Sequence, residues 1–175
     1  MPSGTHGWGR LRCMQSTIRR LVHTDIETVV AFSLAAWAPV FASFEVELGP
    51  EVYRLLYPDW RSAQASAVEA ACRAPGNDVW VAAVDARPVG FVAVCYVDEG
   101  GTRAGEIEMI AVDPGYQRAG VGASLVNRAV TEIESRGVDL AVIATGGDPG
   151  HAPARALYEK LHFDALPQVR YYRKL

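Results

Sequence analysis

Ile110-Ala111-Val112-Asp113-Pro114-Gly115-Tyr116-Gln117-Arg118-Ala119-Gly120-Val121-Gly122 is an apolar run that stops at a turn cluster and passes through glycines into a helix. From Gly120 to Arg136, residues Val121, Leu125, Ala129 and Ile133 share one helical face, and Val126 and Val130 widen it. A strand that turns through glycines into a helix is an anion site in outline. The first amides of a helix have no intrahelical partner and carry the positive end of its dipole, so a phosphate can accept several hydrogen bonds there. Glycine lets the phosphate approach closely. Two familiar phosphate loops fail on the letters. A Walker loop needs Gly-Lys-Ser/Thr, but Gly122 is followed by Ala123 and Ser124. A dinucleotide fingerprint needs a third glycine where Leu125 stands.

Working outward, Glu106–Val112 reads as the strand before the turn, and Val138–Thr145 as a buried strand after the helix, ended by Gly146-Gly147. Strand, helix and strand in series make a crossover, and the two strands are expected to run parallel. Upstream, Val79–Val84 and Pro88–Val97 are β-prone runs split by Asp85-Ala86-Arg87, the pattern of an antiparallel hairpin. Thr17–Leu21 reads as a first strand. Thr24 is placed to cap the helix that follows, which carries Ile26, Val29, Val30, Leu34 and Trp37 on one face until Pro39 closes it. Gly49-Pro50 opens a second helical region reaching Arg73, Ala152–Leu161 a last helix, and Gln168–Lys174 a last strand. Trp37, Phe41, Phe44, Tyr57 and Trp60 read as core filling, with a substrate wall as the alternative.

Composition bounds the rest. At 175 residues the chain fits one domain, expected over residues 17–175 behind a flexible extension at 1–16, with Met14 as an alternative start. Three cysteines, Cys13, Cys72 and Cys95, form no C-x-x-C pair, so neither a disulfide framework nor a metal knuckle is indicated, and a reducing, cytoplasmic setting is expected. The uncharged run Thr28–Phe44 is shorter than a membrane span of about twenty residues and is interrupted by Pro39. No membrane segment is expected. A net charge of -3 supplies no basic field for nucleic acid and favours a cationic partner.

Gln117-Arg118-Ala119-Gly120-Val121-Gly122 matches the Gln/Arg-x-x-Gly-x-Gly/Ala loop of the GNAT superfamily of acetyl-CoA-dependent N-acetyltransferases, which the chain resembles. Glu106–Pro114 resembles the strand and turn before that loop, and Ala154–Leu161 the family's later helix. The resemblance implies a single-domain α/β fold with a mixed, mostly antiparallel, twisted sheet and helices on both faces. It implies acetyl-CoA as acyl donor, its pyrophosphate on the amides of Arg118, Ala119, Gly120, Val121 and Gly122, with Gln117 at the start of the loop. The pantetheine arm would run along Ile110, Ala111 and Val112, where the strand splays from its parallel neighbour. A backbone amide there would polarise the thioester carbonyl. His151 stands where many members have an asparagine that bonds the cofactor arm, and His162 where they have glycine in Leu-Gly-Phe. His162 is expected to be a turn or surface residue.

Acetyl transfer to an amine has two proton problems: the ammonium must lose a proton, and the departing thiolate leaves better if it gains one. The resemblance assigns Tyr158 to the second task. For the first, Glu106 and Glu108 alternate with Ile107 and Met109, so both carboxylates are expected on one face of the strand. Glu106 resembles the base of histone-type members and is preferred. Cys95 lies within the apolar run Phe91–Val97 and is expected to be buried, which leaves direct transfer in a ternary complex rather than a cysteine route. The acceptor is expected to be a small-molecule or peptide amine, with a homodimer an open alternative. The rival reading is a non-catalytic module that binds acyl-CoA as a regulatory ligand.

Overall fold

The computed structural model describes residues 16–175; all of the extension expected over 1–16 except Ser16 lies outside them. Nine elements follow in order: β1 (Thr17–Arg20), α1 (Ile26–Leu56), α2 (Trp60–Arg73), β2 (Asp78–Val84), β3 (Arg87–Glu99), β4 (Thr102–Val112), α3 (Val121–Ser135), β5 (Leu140–Ile143) and α4 (Ala152–Lys160). The sheet has five strands in the order β1-β2-β3-β4-β5. Every neighbouring pair is antiparallel except β4 and β5, which are parallel through the α3 crossover. The expected mixed sheet is therefore present.

Strand alternation sorts the apolar side chains onto two faces. On one face, Val29 and Phe32 of α1 and Val68 and Ala71 of α2 pack on Val81, Phe91 and Ala93. On the other, Val121, Leu125, Val126, Ala129 and Ile133 of α3 and Tyr158 of α4 pack on Val92, Val94 and Ile107. The helix face read from Val121 to Ile133 is thus the one that is buried. Arginines tie the rim together: Asp78 receives Arg20 and Arg136, and Glu132 receives Arg20 and Arg128.

Several boundaries differ from the sequence reading. Pro39 does not end α1, because the apolar stripe continues through the buried Val40 and Phe41 and holds the helix together past one missing hydrogen bond. The break comes at Gly49, whose φ of 72° and ψ of 158° are not helical, and Pro50 restarts the turn. By length and mean hydropathy alone His23–Leu56 would pass for a membrane-crossing helix. Here Ile26, Val29, Phe32, Val40 and Phe41 are buried in the fold. Thr24 does not cap α1; it sits inside a short 3-10 turn, and Asp25 accepts the Val22 N–H at 2.9 Å while pairing with Arg19. The second helical region stops at Leu56 and resumes at Trp60, capped by Asp59 on the Ser62 N–H at 3.2 Å.

The last strand expected at Gln168–Lys174 is not formed. β5 offers only Leu140–Ile143 as a pairing edge, Pro167 has no N–H to give, and Val169 and Tyr171 stay exposed. This segment instead runs by α1, where Lys174 Nζ lies 3.2 Å from Glu51. His162 occupies the left-handed turn after α4 with φ of 65°, which explains why glycine suits that place.

Gly105 decides how closely α3 lies on β4. A Cβ there would fall 2.4 Å from Ile133 Cγ1, so Gly105→Ala should destabilise the fold by about 1–3 kcal/mol, read as a lower urea midpoint with unchanged slope.

Candidate active site

β4 and β5 pair only from Ala104↔Leu140 to Ile107↔Ile143. Beyond Ile107, β4 continues to Val112 with β3 as its only strand partner among the described residues, so the two parallel strands part and leave a V-shaped gap. The parting coincides with a bulge. Val94 faces Ile107 and Ala93 faces Met109, so Glu108 is the extra residue between them. A cavity of about 590 Å³ opens in the gap, walled by Ile107, Ile110 and Val112 of β4 and by Ile143, Ala144 and Thr145 at the end of β5.

The floor of the cavity is the start of α3. Asp113 accepts the Gly115 N–H at 3.0 Å and closes the turn, and Gln117 Nε2 donates to the Val112 carbonyl at 3.1 Å, clipping the loop to the strand end. Gly120 is the N-cap with φ of 84°, a left-handed conformation that glycine adopts without strain. The first helical bond is from Ser124 N–H to the Gly120 carbonyl, so the amides of Val121, Gly122 and Ala123 have no intrahelical partner. Of the residues expected to hold the cofactor, Ile110, Ala111, Val112, Gln117, Arg118, Gly120, Gly122 and His151 line the cavity. Ala119 does not, and the Val121 side chain is buried in the core.

Tyr158 lines the same cavity from α4 with its ring in the core, 6.2 Å from Phe163. Its hydroxyl makes no hydrogen bond among the described residues, and burial pushes the phenol up to about 12. Glu108 lines the cavity and accepts from Asn77 Nδ2 at 2.9 Å, whereas Glu106 is not on its wall. The alternation read from the sequence had no means of seeing the bulge that separates them. Cys95 is half-buried rather than fully buried, opposite Glu106. Burial first, and then Glu108 and Glu106, hold its thiol above the ordinary range, which disfavours the thiolate that a cysteine route requires.

α1 closes the mouth. Trp37 lines the cavity and packs edge-on against Phe91, while Phe41 stacks on Trp60 at 4.1 Å and Phe44 on Tyr57 at 5.4 Å. Phe44 also meets the His151 ring at 5.6 Å. The loop bearing His151 is pinned from both sides: Ser43 Oγ accepts the Gly150 N–H at 3.0 Å, and Arg155 donates to the carbonyls of Gly146 and Asp148. His151 Nδ1 lies 2.5 Å from the buried Asp148 carboxylate. Ser43 and Asn77 were not read as site residues because each matters through a contact with a distant segment, and Asp148 because its contact with His151 depends on the conformation of an irregular loop.

The profile of the Acetyltransferase (GNAT) family matches residues 43–163. The chain belongs to that family. Among its relatives, the mycothiol acetyltransferase of Saccharomonospora viridis is 30% identical over 147 residues, covering 81% of this chain and 43% of that protein. The ribosomal protein bS18-alanine N-acetyltransferase of Escherichia coli is 43% identical over 63 residues, 36% of this chain and 41% of that protein. The GNAT chain thus spans less than half the length of these relatives. A GCN5-related N-acetyltransferase from Ralstonia eutropha shares the fold at a TM-score of 0.63 and 18% identity, covering 92% of this chain and 99% of that one. An aminoglycoside acetyltransferase from a soil metagenome, solved with sisomicin, aligns at a TM-score of 0.57 and 18% identity over 91% of this chain and 96% of its own.

Burial pushes the Asp148 carboxyl up, but the hydrogen bond with His151 and the nearby Ser43 hydroxyl more than offset this and its pKa is lowered. A lowered carboxylate pKa contributes stability above the unfolded value near 4 and loses it as pH falls through the folded one. Urea midpoints measured from pH 7 down to pH 3 should therefore fall in the acid range, and Asp148→Asn should lose less over the same range.

Proposed function

We propose that this chain transfers the acetyl group of acetyl-CoA directly to a primary amine within a ternary complex. The observation that carries the reading is the parting of β4 and β5 over the free amides of α3, with the unpartnered Tyr158 hydroxyl in the same cavity. The gap leaves backbone groups of Ile110 to Val112 open to the amides of a pantetheine arm. The amides of Val121, Gly122 and Ala123, with the dipole of α3 behind them, suit the pyrophosphate, and the loop residues Arg118, Ala119 and Gly120 complete that cradle. Gln117 acts one step back, holding the loop through the Val112 carbonyl.

The chemistry then falls to side chains on the cavity wall. A phenol held near 12 stays protonated at neutral pH, which suits Tyr158 to give its proton to the coenzyme A sulfur as the C–S bond breaks. Glu108 places a negative charge on the wall and suits an incoming ammonium; Glu106 lies off the wall and takes no direct part. The acceptor enters from the α1 side, past Trp37 and the aromatic cluster of Phe41, Phe44, Tyr57 and Trp60. Relatives named for mycothiol and for a ribosomal-protein alanine acetylate amines of different size, so small-molecule and peptide amines are both candidate acceptors. A cytoplasmic setting fits both.

Acetyl-CoA at a hundredfold excess over its Kd should stabilise the fold by about 2.7 kcal/mol, seen as a raised melting temperature, and coenzyme A should act likewise while ATP does not. No rise with either coenzyme A species would sink the reading. Tyr158→Phe should lower kcat by about 10²-fold with the acetyl-CoA Kd unchanged, and Glu108→Gln should raise KM for a cationic amine while Glu106→Gln leaves it near wild type. A protein that binds acetyl-CoA yet turns over no amine in any form would instead be an acyl-CoA-responsive module.

A further inference from the structure

His151 is the cavity residue whose surroundings fit poorly with the role its place in the sequence implies. The side chain is only 20% exposed, and its Nδ1 lies 2.5 Å from Asp148 Oδ1 on a carboxylate side chain that is 9% exposed. Asp148 is ionised at neutral pH, because the hydrogen bond with His151 and the nearby Ser43 hydroxyl outweigh the effect of burial. A carboxylate only accepts hydrogen bonds, so the ring proton sits on Nδ1 and the neutral ring presents a bare lone pair at Nε2. An asparagine amide at this place donates to a cofactor carbonyl; a neutral imidazole in this tautomer has no N–H left to donate. Its Nε2 makes no hydrogen bond among the described residues.

The loop that carries this pair is held from several sides. Arg155 Nη1 fixes the carbonyls of Gly146 and Asp148 at 2.6 and 2.8 Å, Ser43 takes the Gly150 N–H, and Phe44 covers one side of the ring. Among the described residues no other histidine lines the cavity. We infer that His151, oriented by Asp148, is the base that removes the proton from the acceptor amine.

The inference rests on the N-acetyltransferase reading and assigns its proton acceptor. The ammonium gives one N–H proton to His151 Nε2, and the freed nitrogen lone pair forms the C–N bond at the thioester carbonyl carbon. The C–S bond then breaks with its electron pair on sulfur, sulfur takes the Tyr158 phenol proton, and the second nitrogen proton returns to the Tyr158 oxygen. The imidazolium releases its proton to water, so one proton leaves per acetyl group transferred. Asp148 stabilises the imidazolium and fixes the tautomer, which makes it a positioning residue. The titratable groups around the ring are Asp148 on its own loop, Tyr57 just after α1, Arg155 and Lys160 of α4 and Glu108 of β4; Arg170 and Tyr172 of the C-terminal segment lie beside Tyr57. Arg155 is committed to carbonyls, which leaves the paired Asp148 as the charge in direct contact with the imidazole.

The test is the pH dependence of kcat/KM from pH 5.5 to 9, with whichever of sisomicin, an alanyl peptide or methylamine the wild type acetylates fastest. Alongside it run calorimetric titration of acetyl-CoA and ¹³C NMR of the labelled histidine rings, whose shifts read the tautomer. Wild type should show an acidic limb in kcat/KM and a His151 ring with its proton on Nδ1, facing Asp148. His151→Asn should lose that limb and about 10²-fold in kcat while holding acetyl-CoA within about threefold of wild type, since the amide restores a donor. Asp148→Asn should lower kcat while leaving acetyl-CoA affinity near wild type, because the partner that fixes the tautomer of the ring is gone. A His151→Asn protein with wild-type kcat and an unchanged limb, or a wild-type His151 ring whose proton sits on Nε2, overturns the assignment. Absence of acetyl-CoA binding by the wild type itself would instead overturn the reading on which the assignment rests, and the assignment with it.

Discussion

The parallel pairing of β4 with β5 lasts only from Ala104 and Leu140 to Ile107 and Ile143, and nearly everything that makes a site follows from where it stops. A longer ladder would satisfy the backbone of Ile110 to Val112 and close the gap; a shorter one would free β5 from the sheet. Two features set the stopping point. Gly105 lets Ile133 of α3 press directly on β4 within the paired stretch, and the bulge at Glu108 turns the strand immediately after it. The packed half of β4 is therefore rigid core, and the open half is binding surface.

That division also explains how one crossover serves two ends. α3 buries Leu125, Val126, Ala129 and Ile133 along its length, which anchors its first turn, and so its three free amides, at the mouth of the gap. The tight turn from Asp113 to Gly120 is held by Asp113 and by Gln117 rather than by bulk, leaving space above the amides. On the opposite wall α1 reaches across through Ser43 to the loop of Asp148 and His151, so acceptor side and donor side are joined by a hydrogen bond to the Gly150 amide.

Local signals made much of this legible. The strand, glycine turn and amphipathic helix from Ile110 to Ile133 are contiguous, so periodicity and turn chemistry expose them, and they carry the cradle. What stayed hidden depends on distant partners. Pro39 looked like a stop because a lost hydrogen bond is visible in sequence, whereas the packing of Val40 and Phe41 that outweighs it is not. The bulge that puts Glu108 on the wall and leaves Glu106 off it arises from the pairing with β3. Asp148 was an ordinary loop residue until the fold set it against His151 and Ser43. The apolar run at Val169–Tyr172 reads as a strand, but strand formation needs an edge, and β5 supplies little.

The central claim is that the open half of β4 and the first turn of α3 are one binding surface. Hydrogen–deuterium exchange with and without acetyl-CoA reads those amides directly. Protection gained together in peptides covering Ile110–Val112 and Val121–Ala123, with the paired stretch Ala104–Ile107 unchanged, is the predicted result. Protection at neither segment, or confined to α1 and α2, would contradict it.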